Sequence, residues 1–238
     1  MLLNEDLSRR TLVHAAALEW MPSPAKGVNR RMLFRIGEEK ARATSIVRYA
    51  AGSRFAHHAH PGGEEFLVLD GVFQDDGGDF PMGAYVRNPP GSGHAPQSED
   101  GCTILVKLWQ FKADDRERVV IMPGEGEAGK LRAGVASSKI LFEGASERVM
   151  LETWQPKAQV TIANFQGLEL LVLDGAFSGA GEALGRWSWL RLPAEQHLHA
   201  KIRPEGARVW YKAAPLLHAD VCAFDNPQSP SQSPGSNI

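Results

Sequence analysis

Three histidines and a glutamate carry the most pointed chemistry in the chain. His58 and His60 are two residues apart, so on an extended strand both side chains leave the same face. Glu64 shares their parity across the Pro61-Gly62-Gly63 turn. Glu65 does not, and it is a second-choice carboxylate only if that turn breaks the alternation. His94 follows in a second run rich in Gly and Pro. Three neutral imidazoles and one carboxylate form a borderline-hard set of nitrogen and oxygen donors. Such a set suits zinc, with iron, manganese or nickel as alternatives, rather than thiolate-preferring copper(I). One divalent ion per chain is expected, with one or two coordination positions left for water or a small-molecule ligand. A buried glutamate without a cation or a donor is costly, so an apolar interior holding Glu64 makes physical sense mainly with a metal beside it. His57, outside the spacing, is expected on the surface.

The elements that must position these residues read as short apolar runs punctuated by Gly, Pro, Asn and Asp, the pattern of an antiparallel sandwich or barrel. Ala43 to Tyr49, Glu65 to Leu69, Ala84 to Val86 and Thr103 to Trp109 are strand candidates. One short helix is expected around Thr11 to Glu19, within an N-terminal extension covering residues 1–39. Phe55, Phe66, Tyr85 and Trp109 are expected to build core, and Cys102 to be a buried, inert thiol.

A repeat organises the rest. Phe66-Leu-Val-Leu-Asp-Gly-Val-Phe73 returns as Leu170-Leu-Val-Leu-Asp-Gly-Ala-Phe177, 104 residues later. Ser45 to Gly52 matches Val149 to Pro156 at the same offset, and Tyr85 to Pro89 matches Trp189 to Pro193. Two copies of one β domain are implied: a metal-binding copy at 40–115, a charged linker at 116–132, and a second copy at 133–224. A Ser/Pro/Gln tail, 225–238, cannot bury enough apolar surface to fold.

The second copy acts as an internal control, because the offset puts Ile162, Asn164 and Leu168 where His58, His60 and Glu64 stand. Its interior should be packed and metal-free. His197, His199 and His218 lack a partner carboxylate at ligand spacing and are expected as surface or hydrogen-bonded histidines.

A net charge of −2 supplies no basic field for nucleic acid, so DNA or RNA binding is not expected. No apolar run reaches membrane-spanning length and no signal peptide opens the chain, which leads to the expectation of a cytoplasmic protein. Only Cys102 and Cys222 occur, without C-x-x-C spacing, so neither a disulfide framework nor a cysteine-built zinc site is indicated. Exposed strand edges would support a homodimer.

Gly52, then five residues, His58-Ala-His60, three residues, Glu64, six residues and Gly71 form one motif. Gly83, five residues, Pro89, one residue, Gly91, two residues and His94 form another. Together they resemble the two motifs of the cupin superfamily, which implies an all-β chain of two tandem double-stranded β-helix (jelly-roll) barrels, a bicupin. The stretch His58 to Phe73 with Asn88 to His94 resembles more closely the cupin domain of ChrR-type anti-sigma factors. That resemblance implies a zinc-binding sensory cupin in the response to oxidative stress, with a sigma factor or another transcription regulator as partner. In that family a separate N-terminal zinc domain sequesters the sigma factor. The residues ahead of the first copy are too few for that domain and contain no cysteine, so a stand-alone sensory or accessory protein is expected. Small cupins also include metal-dependent dioxygenases acting on diketones and aryl ketones, which is the competing expectation. In a third reading the metal only stabilises the fold.

Overall fold

The computed structural model describes residues 1–38, 40–179, 181–218 and 220–222. The expected tail at 225–238 lies outside them. Thr11–His14 forms β1, Val28–Gly37 β2, Ala41–Tyr49 β3, His58–His60 β4, Glu64–Asp75 β5, Tyr85–Asn88 β6, Ser92–His94 β7 and Cys102–Leu108 β8. Val119–Ile121 is β9, Val135–Glu143 β10, Arg148–Trp154 β11, Gln159–Ile162 β12, Gly167–Gly179 β13, Ser188–Pro193 β14 and Leu198–Ala213 β15. The protein is all-β, as its alternating apolar patterning requires. The four strand candidates fall on β3, β5, β6 and β8, with Ala84 and Trp109 just outside β6 and β8.

The repeat appears as two sheets with the same strand order. One runs Leu2–Leu3, β2, β3, β8, β5, β6, β9, and the other Glu127–Ala128, β10, β11, β15, β13, β14, β1. Period-two alternation divides each central strand between two environments. Phe66, Val68, Phe73, Ile104 and Val106 face the interior of the N-terminal unit. Leu168, Leu170, Val172, Phe177 and Leu198 do the same in the C-terminal unit. The opposite parity, Leu67, Leu69 and Leu105 from one sheet and Leu171, Trp189 and Trp210 from the other, builds a third cluster that joins the units.

The outermost strands are exchanged. Strand β1 lies in sequence between Leu2–Leu3 and β2 of the N-terminal sheet but pairs with β14 of the C-terminal unit, Thr11 opposite Arg191 and Val13 opposite Trp189. Strand β9 precedes the C-terminal unit but closes the N-terminal one, Val119 opposite Arg87 and Ile121 opposite Tyr85. Both exchanges cover an edge that would otherwise be open for pairing.

Three expectations are corrected here. The helix expected at Thr11 to Glu19 is instead strand β1 followed by a 3-10 turn at Ala15–Ala17. The β-branched Thr11 and Val13 pair there with Arg191 and Trp189, and tertiary pairing overrides the high helix propensity of the alanines. The segment 116–132 is not merely a linker, because it supplies β9 and the strand Glu127–Ala128, opposite Ile140 and Lys139. The N-terminal sheet also begins before residue 40, since β2 pairs along β3.

Candidate metal centre

The short strands β4 and β7 pair antiparallel, with His58 opposite His94 and His60 opposite Ser92. The backbone then turns at Pro61-Gly62-Gly63. The Gly63 amide donates to the His60 carbonyl at 3.0 Å, in a backbone conformation (φ +77°) that favours glycine. A Cβ on Gly62 would lie 2.2 Å from the Trp109 ring, and one on Gly63 2.5 Å from Phe111. The turn is therefore clamped under two aromatic rings, which fixes where β5 starts. With that start, Glu64 is buried inside the N-terminal unit. Glu65 points to the junction of the units, where it accepts from Tyr85 Oη at 2.7 Å and Lys212 Nζ at 2.6 Å.

The ring nitrogens of His58, His60 and His94 lie within 4.8 Å of one another, a group able to hold a metal ion. Nε2 of His60 and Nε2 of His94 are 3.0 Å apart. Glu64 Oε2 stands 3.6 Å from the first and 3.4 Å from the second. Donors at about 2.0–2.1 Å from a common ion are separated by about 3 to 3.4 Å, so this spacing fits a shared cation. His94 Nδ1 is 2.8 Å from Asp75 Oδ2, and His58 Nδ1 is 3.2 Å from the Ala56 carbonyl. Those acceptors take the Nδ1 protons and leave each neutral ring with an Nε2 lone pair, the pattern that orients ligating histidines.

The electrostatics agree. Burial, then the neighbouring His94 and His58, lower the His60 pKa to about 3, so its imidazole is neutral across the physiological range. Burial raises the Glu64 pKa, against His94, His58 and a hydrogen bond from Asn88. Its Oε2 is buried and, among the described residues, has no hydrogen-bond partner. Burial disfavours charge on His94, but its Asp75 hydrogen bond and Glu64 outweigh that and raise its pKa.

Spacing alone pointed to neither Asp75 nor Asn88. Asp75 ends β5 in the Asp75-Asp76-Gly77 turn, where its carboxylate also accepts from the Gly77 amide. Asn88 lies opposite Glu64 in the β5–β6 register. The polar run Gln74 to Gly77 was the available signal for the first, and the register for the second. Phe66 builds the interior and Tyr85 the junction, while Phe55 is half-buried against Tyr49. His57 is exposed. Cys102 is buried, and burial pushes its thiol up to about 11.

In the C-terminal unit Ile162 lies opposite Leu198, the register pair equivalent to His58 and His94, and both are buried with Leu168 in the apolar interior. Asn164 donates to the Pro193 and Gln196 carbonyls at 2.8 and 3.1 Å. His197 accepts from the Asn164 amide, His199 meets Thr161 at 3.2 Å, and buried His218 lies 3.4 Å from Glu147.

The fold is of the cupin type. Residues 8–112 match a sequence profile described as the ChrR Cupin-like domain, so the N-terminal part of the chain resembles the cupin of ChrR. Among curated proteins none matches by sequence. Solved structures share the architecture along most of the chain. A protein from Nostoc punctiforme described as a "putative dioxygenase" has a TM-score of 0.69 at 14% identity, covering 92% of this chain and 88% of its own. The nickel(II) complex of the bacterial pirin YhhW from Escherichia coli gives 0.64 at 13%, covering 87% and 100%. A Cupin 2 conserved barrel domain protein from Leptotrichia buccalis gives 0.56 at 10%, covering 90% and 100%. At these identities the likeness speaks for the fold alone. No helix of the described residues is long and apolar enough to cross a membrane.

Proposed function

We propose that the N-terminal unit holds one divalent ion, zinc, through His58, His60, Glu64 and His94, and that the protein is a sensory cupin of the ChrR type acting on a transcriptional partner. The observation that carries the metal is the buried Glu64 Oε2, which among the described residues has no hydrogen-bond partner, facing the Nε2 atoms of His60 and His94. Without a cation that buried carboxylate oxygen is left without a partner in a poorly solvated interior. Zinc at that position is a Lewis acid for an incoming ligand. Asp75 and the Ala56 carbonyl orient the imidazoles, and Asn88 steadies the carboxylate. The sensory role is supported by the ChrR-like sequence of residues 8–112, and a sigma factor is the partner that resemblance suggests.

A second reading, a metal-dependent dioxygenase acting on diketones or aryl ketones, is favoured by the exposure of His58, which leaves one side of the cluster open to solvent. Metal analysis of protein purified without oxygen, followed by oxygen uptake with acetylacetone, separates the two. One zinc per chain and no uptake support the sensory reading, whereas bound iron(II) with uptake overturns it. Capture of a sigma factor that changes on peroxide treatment, and no longer changes in His60→Ala, tests the regulatory role. A sigma factor that is never retained counts against it.

A further inference from the structure

A cavity of about 270 Å³ opens where the two units meet, outside both interiors. Its walls differ. The N-terminal unit contributes Leu67 and Leu69, from the face of β5 opposite to Glu64, together with Met82. The C-terminal unit contributes Leu173, Arg186, Trp187 and Arg208, with Asp174 beside them.

The repeat shows what is special about the second wall. Gly83 and Trp187 occupy equivalent turns: Gly83 N donates to Val68 O at 2.8 Å, and Trp187 N to Val172 O at 2.7 Å. Both have positive φ, +94° and +62°. Glycine accepts that conformation freely, but a bulky L residue is held there against a steric penalty. The C-terminal unit thus keeps an indole in a strained position that its sibling fills with glycine, and strain of this kind concentrates at binding sites. The neighbouring position changes as well, from apolar Met82 to cationic Arg186. Opposite Asp174 stands Arg208, where the sibling has Thr103 opposite Asp70.

Cationic charge gathers around the indole. Arg186 lies 5.1 Å and Arg31 5.8 Å from the Trp187 ring. Trp20 meets Trp187 edge-on at 6.4 Å and itself carries Arg31 and Arg48 at 4.3 and 4.4 Å. Among the described residues neither Arg186 nor Arg208 forms a salt bridge. Asp174 is the one acidic residue in the lining.

We infer that this cleft is a second ligand site, binding a small organic acid whose apolar body lies between Leu67, Leu69 and Leu173 and whose carboxylate meets Arg186 and Arg208 beside Trp187. Two guanidiniums recognise a carboxylate, and an apolar wall with an aromatic edge accepts a hydrocarbon or a ring. The site is separate from the metal cluster and does not depend on it.

Phenylacetate is the probe and phenylacetamide its neutral control, titrated into the full chain while tryptophan emission is followed. Phenylacetate should saturate below about 10 mM, with the amide weaker by about tenfold or more. Arg186→Met with Arg208→Thr, which installs the sibling's residues, should weaken phenylacetate by about tenfold while the thermal transition stays unchanged. Trp187→Phe should remove the emission change. Because a carboxylate would also ligate a metal, the titration is repeated in His60→Ala, where affinity should stay within about twofold. Equal binding of acid and amide, no saturation, an unaffected double variant, or loss of binding in His60→Ala would each overturn the inference.

Discussion

The interiors of the two units are built on one strand order and filled with opposite chemistry. In the N-terminal unit His58, His60, Glu64 and His94 converge. In the C-terminal unit Ile162, Asn164, Leu168 and Leu198 occupy the same register positions, three of them closing an apolar interior while Asn164 satisfies backbone carbonyls. The shared fold therefore does not require the polar cluster. What the N-terminal unit keeps at a cost in burial, the C-terminal unit has exchanged for packing, so the cost must be offset by something the polar cluster binds.

The sharpest way to break the contrast is to write the N-terminal residue into the C-terminal unit. Leu168→Glu places a carboxylate among Ile162, Leu170 and Leu198 with no imidazole lone pairs and no cation. It should destabilise the protein by roughly 3–5 kcal/mol in urea denaturation. A loss under about 1 kcal/mol would mean that this interior admits water or a counter-ion, and the contrast would fail.

The reciprocal change should have the opposite sign. Glu64→Leu removes a buried carboxylate oxygen that, among the described residues, has no hydrogen-bond partner, so metal-free protein should gain about 1–3 kcal/mol. The same variant should bind no stoichiometric zinc by metal analysis. A variant that is destabilised without metal and still binds zinc would show that the three imidazoles hold the ion without Glu64.

Much of this contrast was legible in the sequence because both its parts are periodic. The H-x-H spacing and the parity of Glu64 follow from strand geometry, and the 104-residue offset marks the positions where ligands are replaced. What stayed hidden depends on pairing between distant segments. Asp75 touches His94 only because the β5 turn folds back over β7, and Asn88 faces Glu64 through strand register. The exchange of β1 and β9 cannot be read from local pattern, since Thr11 to His14 meets its partner only in the other unit. Glu65 and Glu169 likewise sit at equivalent positions, yet they pair with Lys212 and Lys107 across the junction, a crossing that neither sequence copy contains by itself.

Asp75 gives the next, smaller effect. It accepts the His94 Nδ1 proton and so holds Nε2 toward Glu64, while the C-terminal unit has Gly179 at the equivalent position. Asp75→Asn should weaken zinc binding by about 10- to 100-fold in competition with a chromophoric chelator, leaving the urea midpoint of metal-free protein almost unchanged. An equal loss of stability in metal-free protein would make Asp75 a structural turn residue instead.

The smallest expected effect concerns Cys102, which lies in the interior of the N-terminal unit in one apolar cluster with Val47, Phe73 and Ile104. Its thiol, pushed up to about 11 by burial, is almost wholly protonated at neutral pH, so alkylation of the native protein should be slow. If the apolar packing of β3, β5 and β8 holds this unit together, as equivalent packing does in its sibling, then stripping the metal should change the Cys102 labelling rate by less than about tenfold. If instead the metal is the keystone, chelation should open the interior and accelerate labelling toward the rate in denaturant. A peptide-resolved alkylation time course with and without chelator distinguishes these outcomes. Only the slow result leaves the ion free to exchange, to accept ligands and to report on them.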